Sequence, residues 1–194
     1  LVSNHGTFCP KSKKQVVKGD DPYEIHYSVN FLSSALIISA LRPLLEKSSI
    51  DNVKSRIVVV GSFTAQMQWN PDTCCTIRVD DMNFDKRGGN VNGCFCCPPC
   101  FPPCMGFPGW NGYMSSKMSN HLWSKHYAEN IIDNNKLNLL VVDPGVVITG
   151  IPIFDHIKKC SCSTFYGAVL YCLLKPTLAR SPHTGSYVIY RGVT

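Results

Sequence analysis

Two short, uninterrupted apolar runs constrain this chain more than any other feature: "SRIVVVGS" at 55–62 and "LNLLVVDPGV" at 137–146. Each is strand-length, aliphatic and closed by a turn signal, Gly-Ser or Pro-Gly, which describes a strand buried on both faces. Such strands belong to parallel sheets covered on two sides by helices. The opening "LVSNHG" is an apolar pair running straight into a turn, as though a third strand had been cut, and no initiator methionine precedes it. The chain is therefore expected to be an N-terminally truncated piece.

Between these runs the period changes. "DPYEIHYSVNFLSSALIISALRPLLEKSSI" (21–50) carries apolar residues at helical spacing from Tyr23 to Leu45, with Asp21 and Pro22 as cap and first turn. "YMSSKMSNHLWSKHYAENI" (113–131) resumes a helical pattern, and a further helical segment is expected around Phe165 to Leu174. The final "TGSYVIYRGVT" reads as a helix before a last strand or as a strand itself. Strand, long crossover and strand predict βαβ units, hence an α/β doubly wound parallel sheet. The turns "SNHG", "GSF" and "DPG" then all face the crevice at the carboxyl ends of the strands, where ligands of such sheets lie.

Composition agrees with one globular domain: of 194 residues, 44% are hydrophobic and 16% charged. The net charge of +6 is concentrated in Lys11, Lys13, Lys14 and Lys18, a solvated loop or a site for an anionic partner. No aromatic residues interleave these lysines, so nucleic acid is not an expected partner. The best apolar run, Ala35 to Leu45, is interrupted by Arg42 and Pro43, so no membrane span is expected, and the first residues do not resemble a signal peptide. Of 11 cysteines, Cys94, Cys96, Cys97, Cys100 and Cys104 crowd into "GCFCCPPCFPPC", part of a Pro- and Cys-rich insertion at about 86–110. That spacing is not a paired Cys-x-x-Cys zinc site, so no metal is expected. Nor does it describe a disulfide framework, which favours a reducing compartment.

Tyr113 and Lys117 stand four apart, on one face of the second helix, where an ammonium would lower the pKa of the phenol. Tyr171 and Lys175 repeat the spacing. What separates the two pairs is a resemblance to the short-chain dehydrogenase/reductase family. "LVSNHG" looks like the family's Asn-Asn-Ala-Gly turn, keeping Asn4 and Gly6; Asn30 in "YSVNFLSS" occupies the place of its helix asparagine. Ser62 falls at the catalytic serine, Tyr113 and Lys117 fill Tyr-x-x-x-Lys, and "VVDPGVVITG" matches the Pro-Gly turn followed by a threonine. Tyr171 has no strand-end serine before it. Within the family, "DPYEIHYSVNFL" and the flanking strands look most like the retinol-dehydrogenase-like branch, which also contains WW-domain oxidoreductases and the X-chromosome-encoded dehydrogenase/reductase.

The resemblance implies hydride transfer between NADP or NAD and a lipophilic alcohol or carbonyl such as a retinoid, steroid or polyprenoid. It implies Asn30, Ser62, Tyr113 and Lys117 as catalytic residues. Asn30 would bind a water linking Lys117 to solvent. Tyr113 and Lys117 would also contact the cofactor, together with Asn4, Gly6, Pro144, Gly145 and Thr149. The family's glycine-rich pyrophosphate turn should precede "LVSNHG"; "GGNVNG" (88–93) follows no strand and is no substitute. Residues 1–194 alone are therefore expected to be inactive, and a catalytically inactive remnant serving as a binding or dimerisation module is the alternative. A homodimer is left open. The family suggests a cytoplasmic or endoplasmic-reticulum-associated protein, any anchor lying outside this chain.

Overall fold

The computed structural model describes residues 1–9, 23–50, 53–68, 82–83, 108–147 and 179–193. In chain order these form β1 (Val2–Ser3), a π-helical segment (Tyr27–Leu32) continuing into α1 (Ser33–Lys47), β2 (Ser55–Val60) and a short 3-10 segment (Phe63–Gln68). There follow α2 (Pro108–Asn130), β3 (Leu137–Val142), β4 (Val146–Val147), β5 (Ala179–Arg180) and α3 (Pro182–Val193). The lysine-rich loop, the Asp21–Pro22 cap, the cysteine cluster, Thr149 and the Tyr171–Lys175 pair lie outside the described residues.

The three expected strands pair in the order β1-β2-β3, all parallel, with Val2 opposite Val58 and Val58 opposite Leu140. The opening dipeptide is thus a strand. Alternation along β2 sends Ile57 and Val59 to one face, where they form a buried cluster with Ile38 of α1, Tyr127 of α2, Ile132 and Leu137. Full burial of a side chain such as Ile38, Ile57 or Leu137 is worth about 2–3 kcal/mol. Val58 points the other way, towards α3. A Cβ on Gly192 would lie 3.1 Å from Val142 and 3.5 Å from Val58, so this helix sits close against the sheet because position 192 carries no side chain. Helices on both faces of a parallel sheet make this a partial doubly wound, Rossmann-type α/β fold.

Two expectations are corrected and one open alternative is resolved. β3 is not buried on both faces: Leu137 is, but Leu140 is 40% exposed, because β3 is the outer strand of the described sheet. The first helix is not uniformly α-helical; a π segment widens it over Tyr27–Leu32 and changes the partners of its main-chain carbonyls. The last segment resolves as helix. The 21-residue helix Tyr27–Lys47 is long and apolar enough by length and composition to cross a membrane. In this fold it lies along the sheet, where Ser34 meets Ser3 hydroxyl to hydroxyl at 3.0 Å and Ile38 enters the core.

Candidate active site

Ser62 follows β2 directly after Gly61. Its hydroxyl accepts from the Thr64 N–H at 3.3 Å and pairs with the Thr64 hydroxyl at 2.9 Å, a serine turn that starts the 3-10 segment. The same hydroxyl lies near enough to the phenol of Tyr113 to favour its ionised form. Tyr113 lies near the start of α2, 7% exposed, and Lys117 follows one turn later, 6% exposed. The Lys117 ammonium donates to the Val60 carbonyl at 2.9 Å and lies 5.9 Å from the centroid of the Tyr113 ring. A strand end and a helix face thereby bring a serine, a tyrosine and a lysine together at the carboxyl edge of the sheet.

Asn30 belongs to the π segment and is fully buried. Its side chain accepts from the Thr7 N–H at 2.7 Å and donates to the Thr7 carbonyl and the Ser116 hydroxyl, both at 3.0 Å. Its main-chain carbonyl accepts from the side-chain amide of Asn120 at 2.9 Å. The asparagine thus ties the loop after β1 to α2. Gly6 sits beside it: a Cβ there would lie 3.4 Å from Asn30 Oδ1 and 3.8 Å from Lys117 Nζ. Asn4 is exposed at the end of β1. Pro144 and Gly145 follow β3; Gly145 has φ 73°, where glycine is favoured, and its N–H donates to Asp143 Oδ1 at 2.8 Å.

The electrostatics differ from the sequence expectation. The Tyr113 phenol is pushed up, not down: burial dominates, Asp143 adds to it, and the Ser62 hydrogen bond opposes both. The Lys117 ammonium lies over the Tyr113 ring, 5.9 Å from its centroid. Burial also lowers Lys117 to about 8, with Asp143 acting in the other direction. Asp143 was no sequence candidate; an acidic residue immediately before the Pro-Gly turn was the available signal. His121, one turn beyond Lys117, was likewise missed. Burial lowers its pKa, Asp143 opposing and Lys117 adding to the shift, and its Nε2 has no hydrogen-bond partner among the described residues. A Cβ on Gly61 would come within 2.8 Å of that nitrogen. Among the described residues no group of three or more His, Cys, Asp or Glu could hold a metal.

Comparison with known proteins matches no family model. The chain is 28% identical over 158 residues to human retinol dehydrogenase 14, and equally to the mouse protein, covering 81% of this chain. It spans 36% of the length of these curated relatives. A crystal structure of a candidate short-chain dehydrogenase/reductase from Burkholderia xenovorans aligns over 93% of this chain and 62% of its own, with a TM-score of 0.46 and 16% identity. That overlap adds nothing to the fold derived above. The similarity to the retinol dehydrogenases runs through a chain whose serine, tyrosine and lysine converge at the strand ends, and it agrees with the resemblance to the short-chain dehydrogenase/reductase family and its retinol-dehydrogenase-like branch.

Proposed function

We propose that the protein is an oxidoreductase that moves a hydride between NADP or NAD and a lipophilic alcohol or carbonyl compound. The observation that carries this reading is the convergence of Ser62, Tyr113 and Lys117, with Asn30 behind them, at one end of a parallel sheet. A bound nicotinamide supplies or accepts the hydride. Ser62 donates a hydrogen bond to the substrate oxygen and stabilises the charge that develops there. Tyr113 exchanges the proton at its Oη. Because burial raises its pKa, the phenol keeps its proton at neutral pH, which suits it to protonate a carbonyl oxygen as the carbon is reduced.

The residues present suit the nicotinamide end of the cofactor. Val60 takes one N–H of the Lys117 ammonium, and the two further donors have no hydrogen-bond partner among the described residues, which suits them to ribose hydroxyls. The absent side chain at Gly6 leaves space beside that ammonium, which a Cβ would begin to fill. No glycine-rich turn between a strand and a helix is found among the described residues. We therefore expect residues 1–194 alone to bind nucleotide weakly and to show no turnover. The substrate class, a retinoid, steroid or polyprenoid, rests on analogy with the branch.

Titration with NADPH and NADH, followed by nucleotide fluorescence, tests the reading together with carbonyl reduction by the longest form of the protein that can be made. Saturable binding and turnover are expected, with turnover lost and binding nearly intact in Tyr113→Phe. Absence of both in that form would leave the inactive binding module.

A further inference from the structure

Beneath the Tyr113 ring lies a buried acid–base pair to which the reaction above assigns no part. His26 is 1% exposed and Glu24 5%. His26 Nδ1 lies 2.6 Å from Glu24 Oε1, while His26 Nε2 accepts from the Cys9 N–H at 2.9 Å. An Nε2 that accepts has no proton, so the proton of the neutral ring is on Nδ1 and is donated to the carboxylate. The other carboxylate oxygen accepts from the Tyr27 N–H at 2.9 Å, which anchors Glu24 to the start of the helix.

The pair occupies a defined place relative to the site. His26 and Asn30 are four apart, on one helix face, and hold the loop after β1 at two points: Asn30 grips Thr7 and His26 grips Cys9. Both also meet α2 one turn apart, Asn30 through Ser116 and His26 through Tyr113. The His26 ring stands nearly perpendicular to the Tyr113 ring, at 84° with centroids 6.2 Å apart. Phe8, on the gripped loop, completes the set at 80° and 5.3 Å. Edge-to-face contacts of this kind fix a ring's orientation as well as burying it. Directly before Tyr113, a Cβ on Gly112 would lie 2.9 Å from both Glu24 Oε1 and His26 Nδ1. Glycine inside a helix costs about 1 kcal/mol, and here it lets the pair pack against the backbone that carries the tyrosine.

We propose that Glu24 and His26 are positioning residues for Tyr113: the carboxylate holds His26 as the Nδ1–H tautomer, His26 thereby holds the Cys9 N–H, and the braced rings of His26 and Phe8 set the orientation of the phenol toward Ser62. The inference rests on the reading that Tyr113 exchanges the proton. Replacing Glu24 by glutamine keeps the shape but offers an amide where a carboxylate accepted two N–H groups. The amide nitrogen then faces either the Tyr27 N–H or His26 Nδ1, and in the second case the ring proton is driven to Nε2, against the Cys9 N–H.

The test uses the chain labelled uniformly with 15N and with 13Cζ in tyrosine, the Tyr113 resonance being assigned by its loss in Tyr113→Phe. The wild type should show His26 protonated on Nδ1. Glu24→Gln should, according to which way the amide faces, either move the His26 proton to Nε2 or break the hydrogen bond from the Tyr27 N–H, and in both cases shift the Tyr113 resonance by more than its linewidth, while Tyr127, in the core cluster, stays in place. His26→Leu is the second variant and should shift Tyr113 and the Cys9 amide. An Nε2–H tautomer in the wild type, an unmoved Tyr113 resonance, or an equal shift at Tyr127 would each overturn the proposal; if neither variant folds, the wild-type tautomer and the scalar coupling across the Cys9 N–H···Nε2 bond decide it. In a form with turnover, Glu24→Gln should lower kcat about 10-fold or more with KM within about twofold, as misplacement of a reacting group does; an unchanged kcat would refute positioning. None of the resonance measurements needs nucleotide or substrate, so failure of the oxidoreductase reading would appear separately, as absent nucleotide binding.

Discussion

The two halves of α2 are held by different forces. From Gly112 to Asn120 every residue is buried, and most are polar: Ser115, Ser116, Lys117, Ser119 and Asn120. Beyond His121 burial returns to helical spacing, with Ser124 and Tyr127 inward and Leu122, Lys125 and His126 outward. The second half is held by apolar packing, Tyr127 stacking on Trp123 at 4.5 Å within the core around Leu137. The first is held by directed bonds, such as Lys117 to the Val60 carbonyl and Asn120 to the Asn30 carbonyl. A buried polar surface stabilises a fold only when its partners are in place. Substitutions in the first half should therefore alter chemistry more than stability, and those in the second half stability alone.

The largest expected effect is at Tyr113. Tyr113→Phe keeps the ring against Phe8 and His26 but removes the proton, so kcat should fall by about 10²–10⁴-fold. Unfolding free energy should change by about 1 kcal/mol or less, the net value of one hydroxyl's hydrogen bonding. Steady-state kinetics and urea denaturation of the same variant measure both; a large stability loss with activity retained would invert the comparison. Next comes the core at the other end. Leu137→Ala, at a fully buried position, should cost about 3 kcal/mol in urea denaturation and leave the site geometry unchanged. A loss under about 1 kcal/mol would mean that the apolar cluster does not hold this half.

The same division explains what could be read from the sequence. Ile57 to Val60 and Leu137 to Val142 were visible as strands because continuous apolar runs have few other uses, and the parallel order followed from the long crossovers. The second half of α2 was visible through its period. In the first half the four-residue spacing offered Tyr113–Lys117 and Tyr171–Lys175 alike; the resemblance chose between them and added Ser62 and Asn30. What remained hidden arises from tertiary placement. The π segment turns the Asn30 carbonyl toward Asn120, Asp143 joins the site from another strand end, and Glu24 and His26 look in sequence like ordinary helix polar residues. The direction of the Tyr113 shift was missed for the same reason, since i to i+4 spacing says nothing about how deeply both groups are buried.

Lys117 sharpens the comparison at intermediate scale. Its pKa falls from 10.5 to about 8, mainly through burial, so the folded state holds this proton less tightly than the unfolded state. Stability is therefore reduced at pH 7 by at most about 3 kcal/mol. That penalty is complete below about pH 8 and is relieved as the pH rises from 8 towards 10.5. Lys117→Met removes the charge but leaves the Val60 carbonyl without its donor, which costs about 1–3 kcal/mol. The variant should be about 1 kcal/mol more stable than wild type at pH 7, with the advantage shrinking by pH 10, while nucleotide affinity and turnover both fall. A destabilised variant with intact nucleotide affinity would make Lys117 a structural residue.

The smallest effect is expected on α1, which serves as the control for both halves. Ile38 enters the core, whereas Leu36 and Leu44 lie on the opposite side of the helix, 69% and 66% exposed. An exposed leucine buries little additional apolar surface on folding, and lysine is as good a helix former. Leu36→Lys should therefore change unfolding free energy by no more than about 0.5 kcal/mol, as surface substitutions away from special features do. The measurement that matters is its dependence on protein concentration. If a second copy covers this face, the wild-type unfolding midpoint rises with concentration and Leu36→Lys abolishes the rise, because association stabilises by mass action. If the face meets water in solution, both midpoints stay fixed, and the exposed leucines are the ordinary apolar remainder of a helix whose other side is committed to the sheet.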